Sequence, residues 1–265
     1  MSANNDSIQK TLLVAVLLCL VCSIIVAGAA VSLKPLQIAN KEEDKRRNIL
    51  VAAGLWQPGA NTAELFEQIS PRLVNLAEGR FANDDELAQI RAAGLNPEAY
   101  DQIKAAKLPA LSQRLDSSTD IASIRRLEHF AEVFMVYEDD VLKTIVMPVH
   151  GYGLWSTLYG FIALENDLNT VAGFGFYAHA ETPGLGGEVD NPNWKEKWIG
   201  KRLNNDSGEL AIEVIKGEAP RDDAHRIDGL SGATLTARGV NNLVRFWVGD
   251  NAFGPFLANL KHGEI

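Results

Sequence analysis

Cysteine is almost absent from this chain. Two occur in 265 residues, Cys19 and Cys22, and both lie inside one apolar N-terminal stretch. The rest of the length therefore has no structural disulfide and nothing to mis-oxidise if exported. One Cys-x-x-Cys pair cannot complete a four-ligand metal site within a chain, so both cysteines read as small packing residues. Clustered basic residues are lacking as well. The formal net charge is -9 with no long basic run, which argues against a nucleic-acid partner, because phosphate backbones are held by grouped Lys and Arg. No spacing of His, Asp or Glu argues for a metal site. The Walker pattern is missing, and the glycine-rich loop 179–187 does not fit GxGxxG. ATP-type phosphate cradling is thus unsupported. No internal repeat or low-complexity tract is present.

What remains is ordinary globular composition, 46% hydrophobic and 22% charged, enough for one large or two small domains. Long apolar runs are represented once. Thr11 to Leu33 is unbroken and would span roughly 35 Å as a helix, enough for a bilayer core. A cleaved signal peptide competes with an anchor here, since Ala27-Gly28-Ala29-Ala30 mimics a cleavage site. The run is long for a signal and its N-flank carries only Lys10, which favours an uncleaved anchor. Lys34, Lys41, Lys45, Arg46 and Arg47 follow it. By the positive-inside rule they pull the C-terminal bulk toward the cytoplasm.

In chain order, residues 1–10 read as a disordered polar tail and 11–33 as a transmembrane helix. Residues 34–128 read as a membrane-proximal helical region. Within it, helices are expected over 37–54, ending at Gly54, then over 62–78, 84–93 and 97–107. Pro71 interrupts the second of these. Near Glu128 the pattern changes. Residues 130–137 and 141–149 form a hairpin around Glu138-Asp139-Asp140, and 157–164 with 171–178 form a second. Trp194 to Trp198 is a short helical turn and 210–215 a strand. A closing helix follows Thr236, with Leu235, Val240, Leu243, Val244, Trp247 and Val248 on one stripe. Helices, then strands, then a helix predict an α+β fold with a mainly antiparallel sheet and flanking helices, preceded by one transmembrane helix. The α+β domain occupies 129–265.

Three stretches carry candidate chemistry. Asp228-Gly229-Leu230-Ser231-Gly232-Ala233-Thr234-Leu235-Thr236 runs into the closing helix. Ser231, Thr234 and Thr236 suit a helix cap, and the free amides with the helix dipole suit a phosphate. Tyr152-Gly153-Leu154-Trp155-Ser156 joins two strands, and Tyr152 and Trp155 there could flank an aromatic ring. Glu181-Thr182-Pro183-Gly184-Leu185-Gly186 follows a strand and could present backbone amides and the Glu181 carboxylate to the polar edge of a heterocycle.

The first stretch resembles the flavinylation motif of proteins that carry FMN as a phosphoester on threonine. The acceptor in that motif is the threonine of Gly-Ala-Thr, here Thr234. Together the three stretches and the single anchor resemble the C subunit of the bacterial sodium-translocating NADH:quinone reductase. The G subunit of Rnf-type ferredoxin oxidoreductases shares the Glu-Thr-Pro-Gly and Gly-Ala-Thr motifs, but the Gly-Leu-Trp-Ser segment resembles the quinone reductase. A non-covalent, membrane-anchored flavin module is the other alternative.

The resemblance implies an electron-transfer role in a complex of six subunits that oxidises NADH, reduces quinone and exports sodium. It implies FMN esterified to Thr234 by a separate flavin transferase acting on FAD. It also implies a flavin site drawn from Ser231, Gly232, Ala233, Leu235, Thr236, Glu181, Thr182, Gly184, Leu185, Tyr152, Leu154 and Trp155. No catalytic acid, base or nucleophile, and no metal ligand, is assigned to the chain itself. The bulk domain would lie on the periplasmic side of the inner membrane, opposite to the side the basic residues favour.

Overall fold

The structure, a computed structural model, describes residues 7–265. The chain divides into two compact units, residues 1–45 and 46–265. Helix α1 (Ile8–Ala52) opens it. This helix is long and apolar enough to cross a membrane, with a mean hydropathy of 3.0 over its most apolar stretch. Every side chain from 8 to 44 is exposed, as a lipid-facing helix requires. The expected tail ends earlier than composition implied, because residues 8–10 are already helical; residues 1–6 of that tail lie outside the described part. The helix carries Pro35 inside it, and it ends where expected, with Gly54 at φ 72°.

The second unit is built on six strands. β1 (Ile69–Asn75), β2 (Arg80–Phe81), β5 (Phe130–Glu138), β6 (Val141–Tyr152), β7 (Thr157–Glu165) and β8 (Val171–Ala178) form one sheet in the order β2-β1-β5-β6-β7-β8. Every neighbouring pair is antiparallel. Both expected hairpins are present, and Asp139 and Asp140 turn the first with positive φ. Apolar residues occur at nearly every position of β6 and β7 because both faces are covered. Ile145, Met147, Leu158 and Ile162 face a core shared with α6 (Thr234–Val248) and α7 (Gly254–His262). Val146, Phe161 and Ala163 alternate with them and pack with Ile49, Leu50, Ala52 and Ala53 at the end of α1. The period of two delivers one set to each side.

The region 34–128 is not purely helical, and its expected boundary near Glu128 does not divide the fold. Only α2 (Thr62–Phe66) forms where a helix to Glu78 was expected. β1 follows, paired with β5 along its whole length. Pro71 is tolerated in this strand because β2 reaches β1 only at Val74 and Asn75. At Pro71 the other side of β1 has no neighbour, so a missing N–H costs no ladder bond. Next come α3 (Asp84–Ala92), closed by an Asn83–Glu86 capping box, and a 3₁₀ turn Pro97–Ala99. α4 (Gln102–Ala105) is separate from that turn. The expected 97–107 helix breaks at Tyr100, which is buried and donates its hydroxyl to the Phe130 carbonyl at 3.0 Å. β3 (Ser112–Arg114) and β4 (Arg126–Glu128) form a small separate pair. The short helical turn expected at Trp194 starts two residues earlier, as α5 (Pro192–Glu196), with Asn191 capping it. Of the expected 210–215 strand, only β9 (Glu213–Val214) forms, parallel to β10 (Arg226–Ile227).

Glu128 is a buried acid with no ion pair among the described residues. Gln102 donates to Oε1, while Oε2 has no partner. Burial pushes its carboxyl up to about 8, against the lowering effect of its own backbone amide and Gln102. The folded state therefore holds a proton that the unfolded state releases near pH 4.5. Stability should fall as pH rises from that value through about 8, since the folded form binds more protons across this window. Urea melts of Glu128→Gln at several pH values should show a flatter profile, with the variant gaining on the parent most above pH 8. Parallel profiles for parent and variant would refute this.

Candidate functional site

Three segments distant in sequence meet at the N-terminus of α6. The first is the turn after β6, closed by the Gly153 amide donating to the Ser156 carbonyl at 2.8 Å. The second is the loop 179–187, in which the Thr182 carbonyl accepts the amides of Leu185 and Gly187. Gly184, at φ 73°, supplies the left-handed corner of that loop. The third is 228–236. The Ala180 amide donates to Ser156 Oγ at 2.7 Å and joins the first two segments. Leu185 packs against the backbone at Gly232, whose φ is 72°, and this joins the second to the third. Helix α6 is held down on β6 through Gly239, where a Cβ would lie 2.5 Å from the Tyr152 carbonyl oxygen.

Glu181 sits at the centre of this junction, only 5% exposed. Its Oε1 accepts the amides of Leu154, Trp155 and Ser156 at 3.1, 3.0 and 3.3 Å. Its Oε2 accepts the Thr236 hydroxyl at 2.8 Å. Burial pushes the carboxyl up, but the Trp155 amide, the Thr236 hydroxyl and the two other amides outweigh it and hold the group below the usual carboxylate range. Both carboxylate oxygens are thus bonded within the protein, one to the turn after β6 and the other to α6.

The hydroxyl residues of the motif are also sorted differently from their sequence pattern. None of them caps α6; Ala233 occupies the cap position and no side chain bonds there. Thr236 is fully buried. Ser231 and Thr234 are exposed, with Thr234 the first residue of α6. The first-turn amides, which have no intrahelical acceptor, are thus left without a side-chain cap. The three segments that meet there also carry exposed apolar side chains: Tyr152, Leu154, Trp155, Leu185 and Leu235 are 47, 38, 66, 46 and 51% exposed. Leu235 is consequently absent from the buried stripe of α6 to which its spacing assigned it.

Two of the basic residues near the motif, His225 and Arg226, are engaged elsewhere, while Arg238 is exposed on α6. His225 Nδ1 meets the Arg202 carbonyl at 2.9 Å, and Arg226 lies near Glu213 and Asp223. Asp228 shapes the loop. It pairs with Lys197, accepts the Ala219 amide at 2.8 Å, and offers its carbonyl to Trp194 Nε1 at 2.9 Å. Burial raises its carboxyl, while Lys197 and the Ala219 amide bring it below the ordinary range. His179 is structural: the Glu181 amide donates to Nδ1 at 3.2 Å, and Nε2 faces Asp190 at 2.8 Å. Lys197, Gly239 and the bonding of Glu181 to a turn some 26 residues upstream carry no local sequence signal.

Residues 153–249 match the family described as the FMN-binding domain. Over 269 aligned residues the chain is 52% identical to the C subunit of the Na(+)-translocating NADH-quinone reductase of Pseudomonas aeruginosa, covering 99% of both. The chain belongs to that family of C subunits. It is also 47% identical to the C subunit of Vibrio alginolyticus, over the full length of both chains. The crystal structure of Shewanella oneidensis NqrC superposes with a TM-score of 0.75 at 36% identity, covering 84% of this chain and 99% of that one. The C subunit structure from Parabacteroides distasonis gives 0.59 at 26% identity, covering 86% of this chain and 96% of that one. The family places the three-segment junction within a flavin-binding domain, and the chain's own geometry fits such a ligand. An exposed hydroxyl begins an uncapped helix, and the segments that meet there carry exposed apolar side chains.

Proposed function

We propose that this chain carries FMN as a phosphoester on Thr234 and serves as an electron-transfer subunit of a membrane-bound sodium-translocating NADH:quinone reductase. The observation that carries the reading is the placement of Thr234. It is exposed at the first position of α6, whereas Thr236 is fully buried and already bonded to Glu181. Esterification joins Thr234 Oγ to the FMN phosphorus. The pyrophosphate bond of FAD breaks, the nucleoside monophosphate leaves, and the threonine proton is released. The product phosphodiester keeps one negative charge, which the uncapped first-turn amides and the helix dipole stabilise.

When bound, FMN supplies reversible electron-transfer chemistry. The protein's part is to hold and shield it. Tyr152, Leu154, Trp155, Leu185 and Leu235 offer the apolar surface for the ring system. Ser231, Gly232 and Ala233 form the loop that leads into the attachment point. Thr182 and Gly184 shape the neighbouring loop. A covalent tether suits a carrier that must not dissociate between redox partners. Those partners are the other members of the six-protein complex, with a flavin transferase needed for maturation. On this reading the bulk domain lies on the periplasmic side with α1 as its anchor, as the family resemblance implies; protease added to intact spheroplasts should digest it.

Peptide mapping tests the attachment. Trypsin cuts after Arg226 and Arg238, releasing 227–238 with Ser231, Thr234 and Thr236 together. From membranes of cells containing the transferase, this fragment should be heavier by FMN less one water, and fragmentation should place the mass on Thr234. An unmodified fragment would refute the covalent reading. Flavin lost on denaturation would favour a non-covalent module instead.

A further inference from the structure

We propose that Glu181 is a positioning residue of this flavin site, acting through its buried charge rather than by touching the flavin. The inference rests on the functional reading above and extends it to a residue whose role there was open.

The geometry is specific. One carboxylate binds three consecutive amides of the Gly153–Ser156 turn through Oε1 and the α6 hydroxyl of Thr236 through Oε2. It thereby fixes the distance between the turn bearing Leu154 and Trp155 and the helix bearing Thr234. Its neighbours leave room for it alone. A Cβ on Gly153 would lie 2.6 Å from Oε1, and one on Gly186 would lie 2.6 Å from Oε2. With four donors bonded and 5% exposure, the carboxylate is engaged within the protein. A neutral amide in its place reproduces the shape but cannot match a carboxylate accepting four bonds.

The charge has a second consequence. Glu181 is ionised at the junction of the three segments, and Asp190, which bonds His179 two residues before Glu181, also pairs with Lys195. A fixed negative charge in a low-dielectric setting opposes the arrival of more negative charge next to it. Adding an electron at the site is therefore disfavoured, and the midpoint potential of the bound flavin is held down.

Two measurements on the full-length protein decide the matter. In the flavin-loaded chain, Glu181→Gln should retain the Thr234 adduct while the midpoint potential moves in the positive direction. An unchanged potential with the adduct in place overturns the electrostatic role. The second measurement needs no flavin. In a Thr234→Ala background, hydrogen exchange at the Leu154, Trp155 and Ser156 amides should quicken about tenfold or more when Glu181 becomes glutamine, in line with losing the charge from buried bonds. Thr236→Val, which leaves those three bonds intact, should quicken exchange only at the first turn of α6. Unaltered exchange at 154–156 in Glu181→Gln overturns the positioning role. Should the parent chain carry no flavin on Thr234, the functional reading falls, and the exchange experiment still decides for or against Glu181.

Discussion

Thr234→Ala is expected to yield a folded protein without covalent flavin. The side chain is exposed and begins a helix, so its loss leaves no cavity and no buried group unpaired. Alanine is the better helix former, and surface changes of this kind usually stay within about 0.5 kcal/mol. Thermal unfolding should therefore barely move. The flavin should vanish, because the neighbouring threonine cannot substitute. Thr236 is buried and donates to Glu181, and a transferase cannot reach it in the folded domain. The paired control is Thr236→Val, which should keep the adduct. In-gel fluorescence of denatured protein and the mass of the 227–238 fragment read both variants. Flavin persisting on Thr234→Ala, or disappearing from Thr236→Val in a folded protein, would shift the acceptor away from Thr234.

The second large effect concerns Trp247. It is fully buried in α6, packs at 4.9 Å from the His150 ring and 5.5 Å from Phe253, and donates its indole N–H to the His150 carbonyl at 2.7 Å. His150 in turn stacks on Tyr159 of β7 at 5.6 Å. Burial pushes the imidazole of His150 down to about 4, so it is neutral at physiological pH and acts here as an apolar plate. Trp247→Ala removes the filling of this junction and orphans a buried carbonyl. A loss of about 4 kcal/mol is expected from the cavity, with a further penalty of roughly 1 kcal/mol or more for the unpaired oxygen. Urea unfolding of the full-length protein in detergent measures it. Because Trp247 anchors the helix that begins at Thr234, flavin loading should fall along with stability. A loss under about 1 kcal/mol would show that the junction repacks and that this side chain does not pin α6.

Much of this protein is legible one residue at a time. The lipid-compatible run, both hairpins, the α6 stripe and the Gly-Ala-Thr motif are local signals: hydropathy, period and residue type are properties of neighbouring positions. β1 was not legible as a strand. Pro71 argues against one, and the pairing with β5 that overrides it joins positions some 60 residues apart. The helix over 97–107 failed likewise because Tyr100 answers to Phe130.

By itself the sequence determined that one segment of the chain can span a bilayer, that an α+β domain follows, and that a hydroxyl-rich, glycine-bearing loop opens its last long helix. Which threonine stays free was decided only by the tertiary structure. Thr234 and Thr236 are chemically alike in the sequence, and Glu181 is one of many acids. Packing buries Thr236 against Glu181 and leaves Thr234 outside. A hydroxyl's availability depends on which distant groups fold against it, and chain order does not record that.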